Sequence, residues 1–327
     1  MLVDRFGRPL TNLRISVTGR CNYSCVFCHR EGEGEDPDKL SVEDIELVSR
    51  AAYSLGVKTF KLTGGEPLVR PDIGEIVSRV KSLGNDVEVS ATTNGFFLLE
   101  RARKLQEAGL DRLNVSLHAL SPQSYNLMTG VNGSEKVFKG LSLVHDLGLP
   151  VKINFVVTKY NFSELPGILD YASKMGFNVN VIELIPEGRG RENFQALYYP
   201  VEKLLPTLRE KASRVERKQL HNRPVFVLES GIRVEVIANY CNPYFCMGCT
   251  RVRLTHDAKL KPCLNRSDNL VDLDGILHHE GLSQEEKLDR LVEALKAVNM
   301  LREPFFRIEN GNCVSYDGRV LGKPREV

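Results

Sequence analysis

Polar and apolar residues alternate along five short stretches of the chain, and a helix-like stretch follows each of them. Leu13, Ile15 and Val17 alternate with Arg14, Ser16 and Thr18, Phe60 and Leu62 with Lys61 and Thr63, and Val87, Val89 and Ala91 with Glu88, Ser90 and Thr92. Leu113, Val115 and Leu117 then alternate with Asn114, Ser116 and His118, and Ile153 and Phe155 with Lys152 and Asn154. Together with one further apolar run they predict strands at about 12–18, 57–63, 87–92, 111–117, 150–157 and 178–184. Helix-like segments end in Gly56, Gly84, Gly109, Gly148 and Gly176, each leading into a strand; a left-handed residue commonly closes a helix at that point. This helix-then-strand punctuation predicts parallel βα units, and six of them make an α/β fold of the incomplete (α/β)6 TIM-like barrel type.

Strands of a parallel sheet are normally apolar on both faces, so a polar face on five of them calls for an explanation. One is an antiparallel sheet wetted on one side, against which the intervening helices argue, because they imply crossovers. The other is a barrel whose lumen is polar and studded with cations, a binding site for something large and anionic.

Beyond about residue 200 the pattern changes. Val215 to Val236 reads as short strands with polar breaks, and 283–298 as an amphipathic helix opened by a Ser283–Glu286 capping box. A second helix start is read at Ser121-Pro122. The expected organisation is a barrel over 1–200, a smaller C-terminal α+β domain over 201–308, and a mobile Gly-rich tail over 309–327. With 42% apolar and 26% charged residues and a net charge of +2, the chain has no global field for nucleic acid or membrane. No apolar run approaches the roughly 18 residues of a membrane span, and the N-terminus carries no signal-like apolar region, so a cytoplasmic location is expected. Any anionic ligand must be met by local cations.

Eight cysteines in a reducing compartment read as metal or redox ligands. Cys21, Cys25 and Cys28 stand at C-x3-C-x2-C spacing in a loop after the first strand, where three thiols can hold a [4Fe-4S] cluster and leave one iron open. A zinc site closed by His29 is the alternative. Cys246, Cys249 and Cys263 offer a second set of three, again open to iron–sulfur or to a zinc ribbon completed by Cys241 or His256. Gly64-Gly65-Glu66-Pro67 after the second strand lets backbone approach a ligand and offers a carboxylate to an ammonium group. Arg251 and Arg253, on one face if the segment is extended, bring forks suited to a triphosphate.

The cysteine octet with its aromatic Phe27, together with Gly64-Gly65-Glu66-Pro67, resembles the radical S-adenosylmethionine (SAM) superfamily. Phe6-Gly7-Arg8-Pro9, Leu13 to Thr18, Thr92-Thr93-Asn94-Gly95, Asn114 to Leu117 and the second cysteine set are similar, within it, to the GTP 3′,8-cyclases of molybdenum cofactor biosynthesis, over about residues 4–300. The resemblance implies two [4Fe-4S] clusters, on Cys21, Cys25 and Cys28 and on Cys246, Cys249 and Cys263. SAM would meet Phe27, Gly65, Glu66 and Ser116, and GTP would meet Arg14, Lys61, Thr92, Lys152, Arg251 and Arg253. Further implied partners are an electron donor and, in a homodimer, a second copy of the chain. Departures are Asn180 and Ile185, where many bacterial members carry arginine and methionine, an extra Cys241, and an end at Gly322-Lys323-Pro324-Arg325-Glu326-Val327 in place of two glycines. The nearest rival is another radical SAM enzyme with an auxiliary cluster, such as a peptide-modifying one. The rival from another class is a zinc-binding interaction module.

Overall fold

A computed structural model describes residues 1–32 and 36–325. Six strands follow the expected order: β1 (Asn12–Ser16), β2 (Thr59–Thr63), β3 (Glu88–Thr93), β4 (Arg112–Ser116), β5 (Val151–Val157) and β6 (Asn178–Glu183). Each is parallel to the next, with Arg14 opposite Lys61 and Asn114 opposite Lys152. The helices between them are α1 (Val42–Ser54), α2 (Ile73–Lys81), α3 (Leu98–Glu107), α4 (Pro122–Thr129), α5 (Ser134–Asp146) and α6 (Leu165–Met175). Their apolar stripes and the apolar strand faces make one core around Ile15, Val48, Leu62, Val89, Leu105, Val115, Leu141 and Ile153, all fully buried. Each such side chain contributes about 1.5–3 kcal/mol by burial. The opposite faces of the strands are left to the lumen.

The helix-closing glycines are left-handed at 56, 109, 148 and 176. Gly84 is not. Its reason is space, since a Cβ there would stand 2.2 Å from the Tyr53 hydroxyl. The capping box at Ser283 opens a helix over Gln284–Met300, and Ser121 caps α4 by accepting from Ser124 N.

The C-terminal half, expected as a smaller α+β domain, joins its strands to the barrel sheet. Its strands β7 (Ala212–Lys218), β8 (Arg223–Leu228), β9 (Arg233–Ile237), β10 (Arg251–Leu254), β11 (Lys259–Lys261) and β12 (Val271–Asp272) extend the barrel sheet. Among the described residues twelve strands run in the order β12-β11-β10-β1-β2-β3-β4-β5-β6-β9-β8-β7. The physical reason is the edge problem: an incomplete barrel exposes unpaired backbone groups on β1 and β6. Here β10 pairs parallel with β1, and β9 with β6.

The tail expected to be mobile is folded through the described residues, leaving only 326–327 outside them. Strands β13 (Phe306–Glu309), β14 (Asn312–Ser315) and β15 (Val320–Gly322) form a separate antiparallel sheet. Asn310 and Gly311, at φ 49° and 72°, make the two-residue hairpin turn that an Asn-Gly pair favours. Arg325 anchors the end: its Nη2 lies 2.7 Å from Glu183 Oε2, its Nε donates to Tyr240 O at 3.0 Å, and its backbone N donates to Cys241 O at 2.8 Å.

Candidate active site

Every residue assigned above to a cluster, to SAM or to GTP lines one cavity of about 560 Å³ on the polar side of the sheet. The cavity therefore holds both cysteine sets and the cations between them. That volume lies within the range of small-ligand sites.

At one end, β1 runs out into the Cys21–Cys28 loop, and the turn after β2 clamps it. Gly65 N donates to Thr18 O at 2.7 Å and Glu66 N to Arg20 O at 2.8 Å. A Cβ on Gly65 would stand 2.2 Å from the Arg20 oxygen, and one on Gly64, at φ 137°, 2.2 Å from Thr18 O. The paired glycines are thus needed first for backbone contact with the cysteine loop. From the other side Arg189 N donates to Cys28 O at 2.9 Å, and Asn193 Nδ2 to Val26 O at 3.1 Å.

Burial pushes the Cys21 thiol up to about 11. The Cys25 thiol is raised by burial and then by the charges of Cys28 and Cys21. Three mutually repelling thiolates in a part-buried loop are costly unless a cationic centre joins them, which fits an iron–sulfur cluster. The zinc alternative lacks its closing ligand: His29 Nδ1 accepts the Glu31 amide at 2.9 Å, which assigns the ring proton to Nε2 and occupies both nitrogens.

Glu66 is buried and accepts from Thr93 Oγ1 (2.7 Å), Asn94 N (2.6 Å) and Leu68 N (2.9 Å). Burial raises its pKa to about 7, with those hydrogen bonds acting against the shift. Phe27 packs edge-on to His118 with ring centroids 4.5 Å apart. His118 Nδ1 accepts from Val156 N at 3.1 Å, which assigns its proton to Nε2, and burial pushes its pKa down to about 3.

At the other end Asn242 caps the short helix Pro243–Met247 that carries Cys246; Cys249 follows it, and Cys263 follows β11. The Cys246 thiol is raised by burial and by Cys263 and Cys249, so this trio also suits a cationic centre. Its carbonyls are held by two buried arginines, Arg8, read above only as part of the opening motif, and Arg302, which the sequence reading passed over: Arg8 Nη1 donates to Cys246 O at 2.8 Å, and Arg302 Nη2 to Cys249 O. The two proposed completing ligands lie elsewhere. Cys241 sits with Cys313, whose Sγ is 3.8 Å from Cys241 O, and His256 Nδ1 is 3.4 Å from Asp38 Oδ1.

Between the two ends the strands deliver cations. Arg14 and Arg253 face one another on β1 and β10 and share Glu31. Lys152 and Lys218 meet Glu235, with Arg223 Nη1 3.3 Å from the same carboxylate. Burial lowers the Lys152 pKa to about 8, with Glu235 opposing. Lys61 has a neutral partner, Asn114 Oδ1 at 3.0 Å, and its pKa is lowered well below normal by burial and by Arg251 and Arg14. Arg251 is flanked by Arg223, Arg14 and Arg253, and among the described residues its Nε has no hydrogen-bond partner and no carboxylate pairs with it. Thr92 and Ser116 reach the same cavity from β3 and β4, and Asn180 donates to Asn154 Oδ1 at 2.7 Å. Glu31, Lys218, His221, Arg223 and Glu235 also line it and were missed. An alternation of Arg233 and Glu235 with Val234 and Val236 was there to be read as one more lumen strand.

Residues 15–172 match the radical SAM superfamily, and residues 177–305 match the family described as Molybdenum Cofactor Synthesis C. The chain is 43% identical over 309 residues to a probable GTP 3′,8-cyclase of Metallosphaera sedula, covering 94% of this chain and 97% of that protein. It is 42% identical to a probable GTP 3′,8-cyclase of Sulfurisphaera tokodaii, with the same coverage. Among solved structures, Streptococcus suis SuiB bound to S-adenosylmethionine superposes with TM-score 0.62 at 15% identity, over 93% of this chain and 69% of that one. At that identity the likeness concerns the fold alone.

Proposed function

We infer the function from one premise, that this chain belongs to the GTP 3′,8-cyclase family of the radical SAM superfamily: it converts GTP to (8S)-3′,8-cyclo-7,8-dihydroguanosine 5′-triphosphate, the first step of molybdenum cofactor biosynthesis. When bound, the first cluster with SAM would supply hydrogen-atom abstraction at C3′ of GTP, and joining C3′ to C8 would then take one electron and one proton, from the electron donor and solvent, to give the 7,8-dihydro product. The cofactor carries this reactivity, so the chain's task is to bind, orient and shield. Cys21, Cys25 and Cys28 would hold that cluster, Glu66 would accept from the SAM amino group, and Phe27, Gly65 and Ser116 would line the SAM subsite. Arg14, Lys61, Thr92, Lys152, Arg251 and Arg253 hold GTP. Cys246, Cys249 and Cys263 would hold a second [4Fe-4S] cluster at the other end of the same cavity, where it would offer a binding position to the base of GTP.

One observation carries this reading beyond the family name. Among the described residues no carboxylate pairs with Arg251 and its Nε has no hydrogen-bond partner, in a cavity already rich in cations, and leaving such a charge without an anion is costly. A triphosphate supplies the missing charge, and a peptide substrate leaves it unexplained. Replacing Lys61 or Lys152 with Met keeps the stem and removes the ammonium. Each contact is worth about 1.5–3 kcal/mol, so GTP affinity is expected to fall about tenfold or more in either variant, with SAM affinity unchanged. A loss confined to SAM binding would reverse the placement of the two ligands.

Glu66 gives a second test, on the ligand-free protein. Its pKa rises from the unfolded 4.5 to about 7 on folding, so the native state holds the extra proton across that interval. Stability from this group is present at low pH and is lost as pH rises through about 7. The melting temperature of the parent, compared with Glu66→Gln, is therefore expected to drop by a few degrees between about pH 5 and pH 8. A difference that does not change with pH contradicts a proton held there.

A further inference from the structure

Glu31 lies three residues after Cys28, wedged between two guanidiniums. Arg14 Nη2 is 2.8 Å from Oε1, Arg253 Nη1 donates to Oε2, and Thr63 Oγ1 donates to Oε1 at 3.1 Å. The carboxylate is buried, which alone would keep its proton on, yet Arg14 and Arg253 hold it well below the usual range. Two oxygens of one anion spread over two forks are what a phosphate group would offer the same pair. Glu31 is held there by an uncommon backbone: Arg30 and Glu31 both stand at φ 51°, a conformation non-glycine residues rarely adopt. The same turn reaches the first cysteine set, because Arg30 N donates to Cys28 Sγ at 3.4 Å. Glu235 meets a similar group of cations, but it is carried on strand β9 and, among the described residues, hydrogen-bonds to neither cysteine set.

We propose that Glu31 is an internal stand-in for the triphosphate. Before nucleotide binds, it neutralises Arg14 and Arg253. The triphosphate displaces it, and its release shifts the Arg30 amide from the Cys28 sulfur, so that arrival of the substrate is registered at the first cysteine loop. Glu31 is thus a positioning residue, and its role rests on the assignment of Arg14 and Arg253 to the triphosphate made above.

The test uses anaerobically reconstituted protein, with GTP and guanosine as probes. Glu31→Gln keeps the shape and an acceptor oxygen but gives up the competing charge. GTP is expected to bind the variant about fivefold or more tighter than the parent, while guanosine, which has no phosphate, binds both alike. In the parent, hydrogen exchange of the His29 to Glu31 amides is expected to speed up when GTP binds, a measurement that needs no variant to fold. Equal or weaker GTP binding by the variant, or slower exchange with GTP in the parent, removes the stand-in role and leaves the cyclase reading intact. A parent that binds no GTP overturns both.

Discussion

Replacing Cys25 with Ala is expected to abolish SAM cleavage altogether, whereas replacing Cys249 with Ala leaves cleavage measurable and ends GTP cyclisation. Cys25 is the innermost thiol of the first set, most strongly affected by burial and by its two neighbours, so its loss strips a corner ligand from the cluster that binds SAM. Cys249 belongs to a turn anchored through the carbonyls of Cys246 and Cys249 by Arg8 and Arg302. Those contacts survive truncation of the side chain. The Cys249 variant should therefore fold, keep its first cluster, form 5′-deoxyadenosine and yield no cyclised nucleotide. Cyclisation by that variant at the parental rate would make the second site structural.

The second large effect is expected at Arg251 and Arg253. Both leave β10 on the lumen side, and they sit among Arg14, Arg223 and the second cysteine set. A guanidinium holds phosphate oxygens with two parallel bonds, and lysine cannot reproduce that fork. Misplacing the reacting atoms by about 1 Å costs on the order of a hundredfold in rate. Arg251→Lys and Arg253→Lys should then lose cyclised product about a hundredfold while retaining iron and SAM cleavage, which becomes uncoupled from GTP. A pair that only stabilised the sheet would instead lose folding together with all activities. Parental yield from both variants would contradict the positioning role.

The lumen was legible in the sequence because it is written at period two: Arg14, Lys61, Asn114 and Lys152 each break an apolar strand, and all reach one cavity. The cysteine spacings located both ends of the site for a similar reason, since each set lies largely within one local turn. What escaped was long-range or local in an unfamiliar way. The pairing of β10 with β1 and of β9 with β6 joins segments far apart in sequence, and only the need to cover two barrel edges explains it. Glu31 sits in a left-handed turn beyond the cysteine motif, where no periodicity marks a side chain as inward. Glu235 and Arg223 fell in a stretch read as short strands with polar breaks, where no inward-facing period was drawn. The Asn310-Gly311 hairpin was a readable signal overlooked in a segment judged by its composition.

The fold does not choose between substrates, since the SuiB architecture is shared at 15% identity. The proposed substrate site does. Lys61 and Arg251 have no carboxylate partner among the described residues, and on the proposed reading the triphosphate would supply an anion to both.

The central claim is that one cavity brings SAM chemistry to C3′ of GTP. It is tested most directly by giving the anaerobically reconstituted protein SAM, a strong reductant and GTP carrying deuterium at C3′. The account predicts deuterium in the 5′-deoxyadenosine and a cyclised nucleotide in matching amount, from a chain holding about eight irons in two clusters. Unlabelled 5′-deoxyadenosine, with the GTP recovered unchanged, would contradict it.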